Sequence, residues 1–411
     1  MSSRTAAEAQ LTPARIRVIC AARILLFATF MTVAACIPVL VDAWRLSAAA
    51  AGAIVSSFTV GYALSLFGFG WAADHLGARR MTELSAVAAA VTSALFGLLA
   101  DGWWSAMLLY GLVGLAQGGV YTPLIMVFSD DAPPERRGNA MGWLIASTSV
   151  GYATSLGVAA IGIALGGWQV AFIVSGLLPA LGAAVLLAAL RGLPNRIHER
   201  PPRARLAEEV VGNRGARLLI GGYVAHNWEL LGMWAWLPAF LATGFALSGG
   251  ALTGATVAGA WLGGGLHLFG ATAAFSMGHL SDRTGRRPVL VTLALAGTVL
   301  SCAIGWLVQA PAAVLIPLAL AYAFVCLGDS PVLTTALAEQ VRPGYLGATL
   351  AWRSLAGFGA GAAAPVAFGA VLDMVRSVHA APALAWGSSF VVLGIGGAIA
   401  SLCAVRLPRP R

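Results

Sequence analysis

The chain has 411 residues, of which 59% are hydrophobic and 10% charged, and its mean hydropathy is +0.83. A water-soluble protein of this length needs far more charge to cover its surface, which excludes a soluble fold. The formal net charge of +9 would suggest nucleic acid as partner in a soluble chain, but all 25 basic residues are Arg and most sit in short breaks between apolar runs, so orientation in a bilayer accounts for them and nucleic acid does not.

Taken in chain order, residues 1–17 form a polar tail with Arg4, Arg15 and Arg17. It lacks a small-residue cleavage site behind a short apolar core, so the first apolar run is expected to be an uncleaved span. Apolar runs of about 20 residues or more, each long enough to cross a bilayer, then place spans at 18–41, 47–72, 82–100, 103–128, 138–164 and 168–191. A polar stretch at 192–216, rich in Pro, Arg and Glu, reads as a cytoplasmic linker. Six more spans follow at 217–243, 251–277, 288–309, 311–336, 345–372 and 383–406, leaving a short tail at 407–411. The expected fold is an all-α membrane protein of twelve transmembrane helices in two six-helix bundles, 18–191 and 217–406. The five cysteines fall in apolar runs without metal-ligand spacing and read as small buried hydrophobes. No metal and no cofactor is expected.

The arginines orient the chain. With the N-terminus cytoplasmic, 21 of the 25 fall in the tails and inner loops, while Arg45 and Arg376 lie outside and Arg23 and Arg353 within spans. Positive charge resists translocation, so both termini are expected in the cytoplasm, at a bacterial inner (plasma) membrane.

The halves repeat. Gly70-Trp-Ala-Ala-Asp74-His-Leu-Gly77-Ala-Arg79-Arg80 follows the second span, and Gly278-His-Leu-Ser-Asp282-Arg283-Thr-Gly285-Arg286-Arg287 follows the eighth. A second pairing sets Arg137-Gly138 through Trp143 against Leu346-Gly347 through Trp352. Two matches at nearly one offset indicate duplication. Gly77 and Gly285 permit a tight hairpin turn, and the Arg pairs hold it at the headgroups.

These residues resemble the major facilitator superfamily, in its G-x-x-x-D-R-x-G-R-R loop after spans two and eight and its R-G-x-x-x-G start to span five. The resemblance runs over the whole chain and implies a secondary transporter working by alternating access. It also implies that the first loop's Asp74 latches the halves and gates the cycle, with Arg137 as its partner. His75 and Ala78 depart from the basic residues common in the family's first loop, which weakens that latch. Drug–proton antiporters of the family carry an Arg three residues before a Gln-Gly pair in span four and a Gly-Pro pair in span five. Here Gly114 precedes Gln117-Gly118, and span five reads GYATSLG. Nitrate porters carry Arg in spans two and eight, and neither span here has one.

Ionisable groups within spans are costly unless they face a cavity or a partner. Arg23, His226, Glu229, His267, Asp329 and Arg353 stand out. At 1.5 Å per residue most of them, with Gln117, fall roughly 10–18 Å from the cytoplasmic face. Arg353, His226, His267, Gln117, Tyr121 and Tyr152 are therefore the candidate substrate-binding residues. Glu229 and Asp329 are the candidate proton-coupling carboxylates and counter-ions of Arg353. Arg23 is expected to snorkel to the inner headgroups. The expected partners are a small polar, anionic solute, protons and the lipid bilayer, with the protein a monomer. Efflux of an amphipathic compound and a non-transporting sensor are the rival readings. A membrane enzyme is disfavoured, because no nucleophile or metal spacing appears.

Overall fold

The computed structural model describes residues 11–133, 136–197, 208–378 and 381–408. Ten stretches among them are long and apolar enough to cross a membrane. One of these, Arg137–Leu190, is 54 residues long and leaves helical geometry at Gly166 and at Gly167, where φ is 77°. It therefore makes two crossings. Leu252–Thr284, 33 residues long, supplies the remaining one; its glycines, with Asp282 and Arg283 near its end, leave it less apolar than the rest.

The helices are α1 Pro13–Trp44, α2 Ala48–Leu76, α3 Ala78–Leu99 and α4 Trp103–Asp131, then α5 (137–165) and α6 (168–190). The second half comprises α7 Arg214–Leu247, α8 Leu252–Thr284, α9 Arg286–Leu307, α10 Ala312–Gln340, α11 Pro343–Ser377 and α12 Pro382–Val405. This is the twelve-helix, two-bundle architecture that hydropathy and the repeat predict. Because the helices alternate, the start of α1, the end of α12, the α2–α3 and α8–α9 turns, the end of α6 and the start of α7 share one membrane face, called here the terminal face.

Both repeated loops turn on glycine in the left-handed region, Gly77 at φ 90° and Gly285 at φ 89°, where a side chain would strain the backbone. Their surroundings differ. Asn195 fills the space beside Gly77, donating to the Leu76 carbonyl at 2.8 Å and accepting from the Arg80 amide at 3.1 Å. Arg79 reaches the Leu193 carbonyl at 2.5 Å and Glu83 at 2.9 Å. The second loop closes on its own bundle, with Arg286 paired to Asp282 at 2.5 Å and to Glu339 at 2.8 Å, and Arg287 donating to the Val405 carbonyl.

The halves meet along α2–α11 and α5–α8. On the face distant from the termini α2 and α11 touch backbone to backbone: a Cβ on Gly52 would lie 2.3 Å from the Pro365 carbonyl oxygen. Such close approach needs glycine at the crossing. Beside it, the two Asp373 carboxylate oxygens accept the Ala48 and Ala49 amides, both at 2.8 Å. Asp373 of one half thus caps the α2 N-terminus of the other, where a negative charge meets the positive end of the helix dipole.

Candidate functional site

Two helices of the first half break near mid-membrane. In α1 a 3-10 turn at Phe27–Thr29 interrupts the α-helix, and in α4 another at Gly118–Val120 does the same. Backbone groups freed inside a bilayer must find partners. In α1 they do: Gln117 donates to the Leu26 carbonyl at 3.0 Å, Ser155 to Ala28 at 2.7 Å, and Tyr110 to Phe30 at 2.6 Å. The Met31 amide donates back to Ser155 at 2.8 Å.

Arg23 joins these breaks. It is fully buried and does not snorkel. Its guanidinium donates to the Val120 carbonyl at 3.0 Å, the Leu144 carbonyl at 2.7 Å, and the Ser147 and Thr148 hydroxyls, each at 2.8 Å. It also stacks 4.6 Å from the Phe27 ring and 5.3 Å from Tyr121. Every acceptor is neutral, and one terminal nitrogen has no hydrogen-bond partner. A depth count treats Arg23 as near the headgroups. The carbonyls bared by the α4 break are what draw it inward.

Arg353, on α11, is also buried. It donates to Thr334 at 2.9 Å and lies 4.0 Å over the Tyr223 ring, while its Nε has no hydrogen-bond partner. The expected ion pairs with Glu229 and Asp329 are not formed. Among the described residues no carboxylate lies within ion-pair distance of Arg23 or Arg353. Tyr121 interacts electrostatically with both arginines. Tyr62 and Tyr223, which inspection of the sequence does not single out, complete the setting; Tyr62 packs 5.4 Å from Phe358 of α11.

Tyr152 and His267 bridge the halves. Tyr152 lies 4.4 Å from Phe30 on its own side, and 5.1 Å from Trp234 and 5.4 Å from His267 across the interface. Gln117 is close by, but its amide nitrogen is committed to α1 while its oxygen has no hydrogen-bond partner.

The carboxylates lie elsewhere. Asp329 sits 3.0 Å from His226 Nδ1, and His226 Nε2 is 3.0 Å from the Ser330 hydroxyl. Glu229 is buried within the second bundle against Gly297 of α9 and Gly397 of α12, and it interacts with Tyr322 and Cys326 of α10. Tyr322 therefore belongs to that bundle's core, where it donates to Ser301 at 3.0 Å.

Of the loop residues, Gly70 lies beside α4, where a Cβ on it would come 3.5 Å from Thr122. Asp74 ends α2, Arg137 begins α5, and Gly278 and Arg283 lie in the last two turns of α8. The missing antiporter arginine has a steric reason: a Cβ on Gly114 would lie 2.1 Å from the Phe58 carbonyl oxygen.

Twelve spans, duplicated halves and a charged site at their interface define a polytopic membrane protein of the two-bundle kind. The model of the Major Facilitator Superfamily matches residues 19–271, more than half of the sequence, and the chain belongs to that superfamily, a family of transporters and not of enzymes. It is 25% identical over 269 residues to the hexuronate transporter of Bacillus subtilis (strain 168), covering 62% of this chain and 61% of that one. It is 26% identical over 279 residues to the "Probable 4-methylmuconolactone transporter" of Cupriavidus pinatubonensis, covering 63% and 60%. With "Probable anion transporter 5" of Arabidopsis thaliana it shares 30% identity over 168 residues, covering 38% and 34%. The chain thus spans about three fifths of the length of the first two relatives. Its fold is similar to that of a bacterial homologue of the human lysosomal transporter Spinster in an inward-facing, unoccupied conformation, with a TM-score of 0.77 and 16% identity over 96% of this chain and 98% of that one.

Proposed function

We propose that the protein is a secondary transporter that takes up a small anionic solute, most simply a carboxylate-bearing metabolite, by alternating access coupled to protons. One observation carries this reading: Arg23 and Arg353, one from each half, are both buried and both interact with Tyr121, and among the described residues no carboxylate lies within ion-pair distance of either. An uncompensated buried cation is costly, and an anion arriving between Arg23 and Arg353 removes that cost. The surrounding tyrosines suit an organic body carrying hydroxyls. Hexuronate, named for one relative, has this chemistry.

Glu229 and Asp329 are the titratable carboxylates for coupling. Asp74, Arg79, Arg80 and Arg137, with Asp282, Arg283, Arg286 and Arg287, form the turns on which the halves rock about the 192–216 linker. The arginine asymmetry supports both termini in the cytoplasm of a bacterial inner membrane, and the working unit is the monomer.

The test is uptake of labelled D-glucuronate, alongside a panel of other small carboxylates and inorganic anions, into proteoliposomes with an alkaline interior. Accumulation of at least one of them is expected, with loss on adding a protonophore and in Arg353→Ala. Failure of every anion sinks the reading. Extrusion of an amphipathic dye would instead favour efflux, and no flux of any solute would favour a sensor.

A further inference from the structure

A second access route lies inside the C-terminal bundle, away from the interface of the halves. A crevice between α7, α9, α10 and α12 runs inward from the terminal face. Leu218 and Leu407 lie at its mouth, Gly222 and Cys403 lie along it, and Asp329 is at its inner end. Its volume open to the centre of a water molecule is about 10 Å³, close to what one water requires. It admits water and excludes any organic solute.

Asp329 is only 6% exposed, and its Oδ1 has no hydrogen-bond partner. Oδ2 is occupied by His226 Nδ1 at 3.0 Å. In the neutral ring with its proton on Nδ1, that N–H donates to the carboxylate and Nε2 accepts from the Ser330 hydroxyl, 3.0 Å away. The His226 ring lies 6.1 Å from Tyr223, the ring that Arg353 covers at 4.0 Å. A contiguous row of side chains therefore joins the inner end of the crevice to the arginine at the interface.

We propose that this crevice is a proton path separate from the solute route, loading Asp329 from the terminal face. A hydronium in the crevice gives its proton to Oδ1 and leaves as water. The carboxylate becomes a neutral acid, still accepting from His226, and no other bond changes. The inference rests on the proton-coupled anion transport proposed above and adds the route and the acceptor atom. Losing the negative charge behind Tyr223 strengthens the pull of Arg353 on an anion. By linkage, an anion held at Arg353 raises the proton affinity of Asp329 by the same factor.

The groups facing Asp329 fit this role. From α7 come His226, Glu229 and Tyr223; from its own helix, Cys326 and Ser330; and from α12, Cys403. The α9 wall offers Leu290 and Ala294, and α8 brings Met277 against the adjoining Gly328. Glu229 is a second carboxylate that interacts with Asp329, so a proton on either one removes the like-charge repulsion between the two.

The test is infrared difference spectroscopy on the full chain in lipid nanodiscs, titrated with acid and transferred to D₂O. Subtracting the Asp329→Asn spectra from the wild-type spectra removes Glu229 and the surface carboxylates, and a carboxylic C=O band should appear in that double difference as pH falls. Its hydrogen–deuterium shift should slow tenfold or more in Gly222→Leu and in Ala404→Leu, each of which fills the crevice. A Cβ on Gly222 would lie 3.5 Å from Cys403, an ordinary contact, so the first variant should fold; the second provides an independent plug. No band in that double difference, or exchange at the wild-type rate in both filled variants, overturns the proposal. The readout needs no solute. Glucuronate transport with a failed infrared result would reject this path alone, and a correct infrared result without anion uptake would reject the transport reading alone.

Discussion

The two bundles descend from one repeated sequence, yet they handle buried charge differently. The N-terminal bundle buries a permanent cation, Arg23, against the Val120 carbonyl at the α4 break and the Leu144 carbonyl and the Ser147 and Thr148 hydroxyls of α5. The C-terminal bundle also buries a permanent cation, Arg353, but keeps its helices whole around Glu229, Asp329 and His226, groups whose charge can change. An arginine cannot be deprotonated in a protein, whereas carboxylates and imidazoles can. Under the proposed coupling, Arg23 and Arg353 are the fixed charges, one in each half, and the groups that switch lie in the C-terminal half.

The strongest way to break this comparison is to remove the fixed charges. Arg353→Ala should raise the half-saturating glucuronate concentration about 30-fold or more, as for loss of a buried charge contact of about 2–5 kcal/mol; uptake titrations would show it. Arg23→Ala should do the same and also lower the melting temperature, since it leaves the Val120 carbonyl at the α4 break, and the α5 groups it binds, without their donor. Arg23→Lys should restore part of the binding but little of the stability, because an ammonium cannot span four acceptors in one plane.

Neutralising the switchable half should act differently. Asp329→Asn together with Glu229→Gln should abolish gradient-driven accumulation while leaving counterflow exchange in place. Retained accumulation would return these carboxylates to a structural role.

Smaller effects separate the two faces and the two loops. Asp373→Asn keeps a capping oxygen but removes the charge, so the α2–α11 contact should weaken by about 0.3–1 kcal/mol. Labelling of a single cysteine placed at Ser47 should then rise, and unchanged labelling would show that Asp373 does not hold that face shut. Gly77→Ala should lower the melting temperature more than Gly285→Ala. Both have a left-handed φ, but a Cβ at Gly77 would meet Asn195 at 2.2 Å, while Gly285 has no neighbour nearer than 3.8 Å. The smallest change should come from Glu339→Gln, which removes an exposed ion pair of about 0.2–1 kcal/mol.

Much of the fold could be read from the chain because bilayer thickness imposes a length that hydropathy reports directly. The fifth and sixth spans are the hardest case, and Gly166-Gly167 marks their break in sequence as it does in structure. The site was legible in part. Arg353, Tyr121, Tyr152 and His267 gather at the interface as their depths predict. What helix depth cannot supply is rotation about the helix axis. It groups Glu229 with Arg353, although Glu229 turns into its own bundle. It also misses Tyr62 and Tyr223, which resemble any packed aromatic until the facing helix is known. The α1 break leaves no glycine or proline at Phe27–Thr29 to find; its signal lies in Gln117, Ser155 and Tyr110, far along the chain.

The Arg23 network also dictates an order of assembly. Its hydroxyl partner Ser147 lies 124 positions further along, so at a synthesis rate of about 5–20 residues per second some 6–25 s separate the two at the ribosome. During that interval α1 must hold a guanidinium with none of its final acceptors, and stretching toward the headgroups is the available refuge. Closure of α4 and α5 around α1 then withdraws the charge into the membrane, a step that a translocon partner or an anionic lipid on the terminal face would ease.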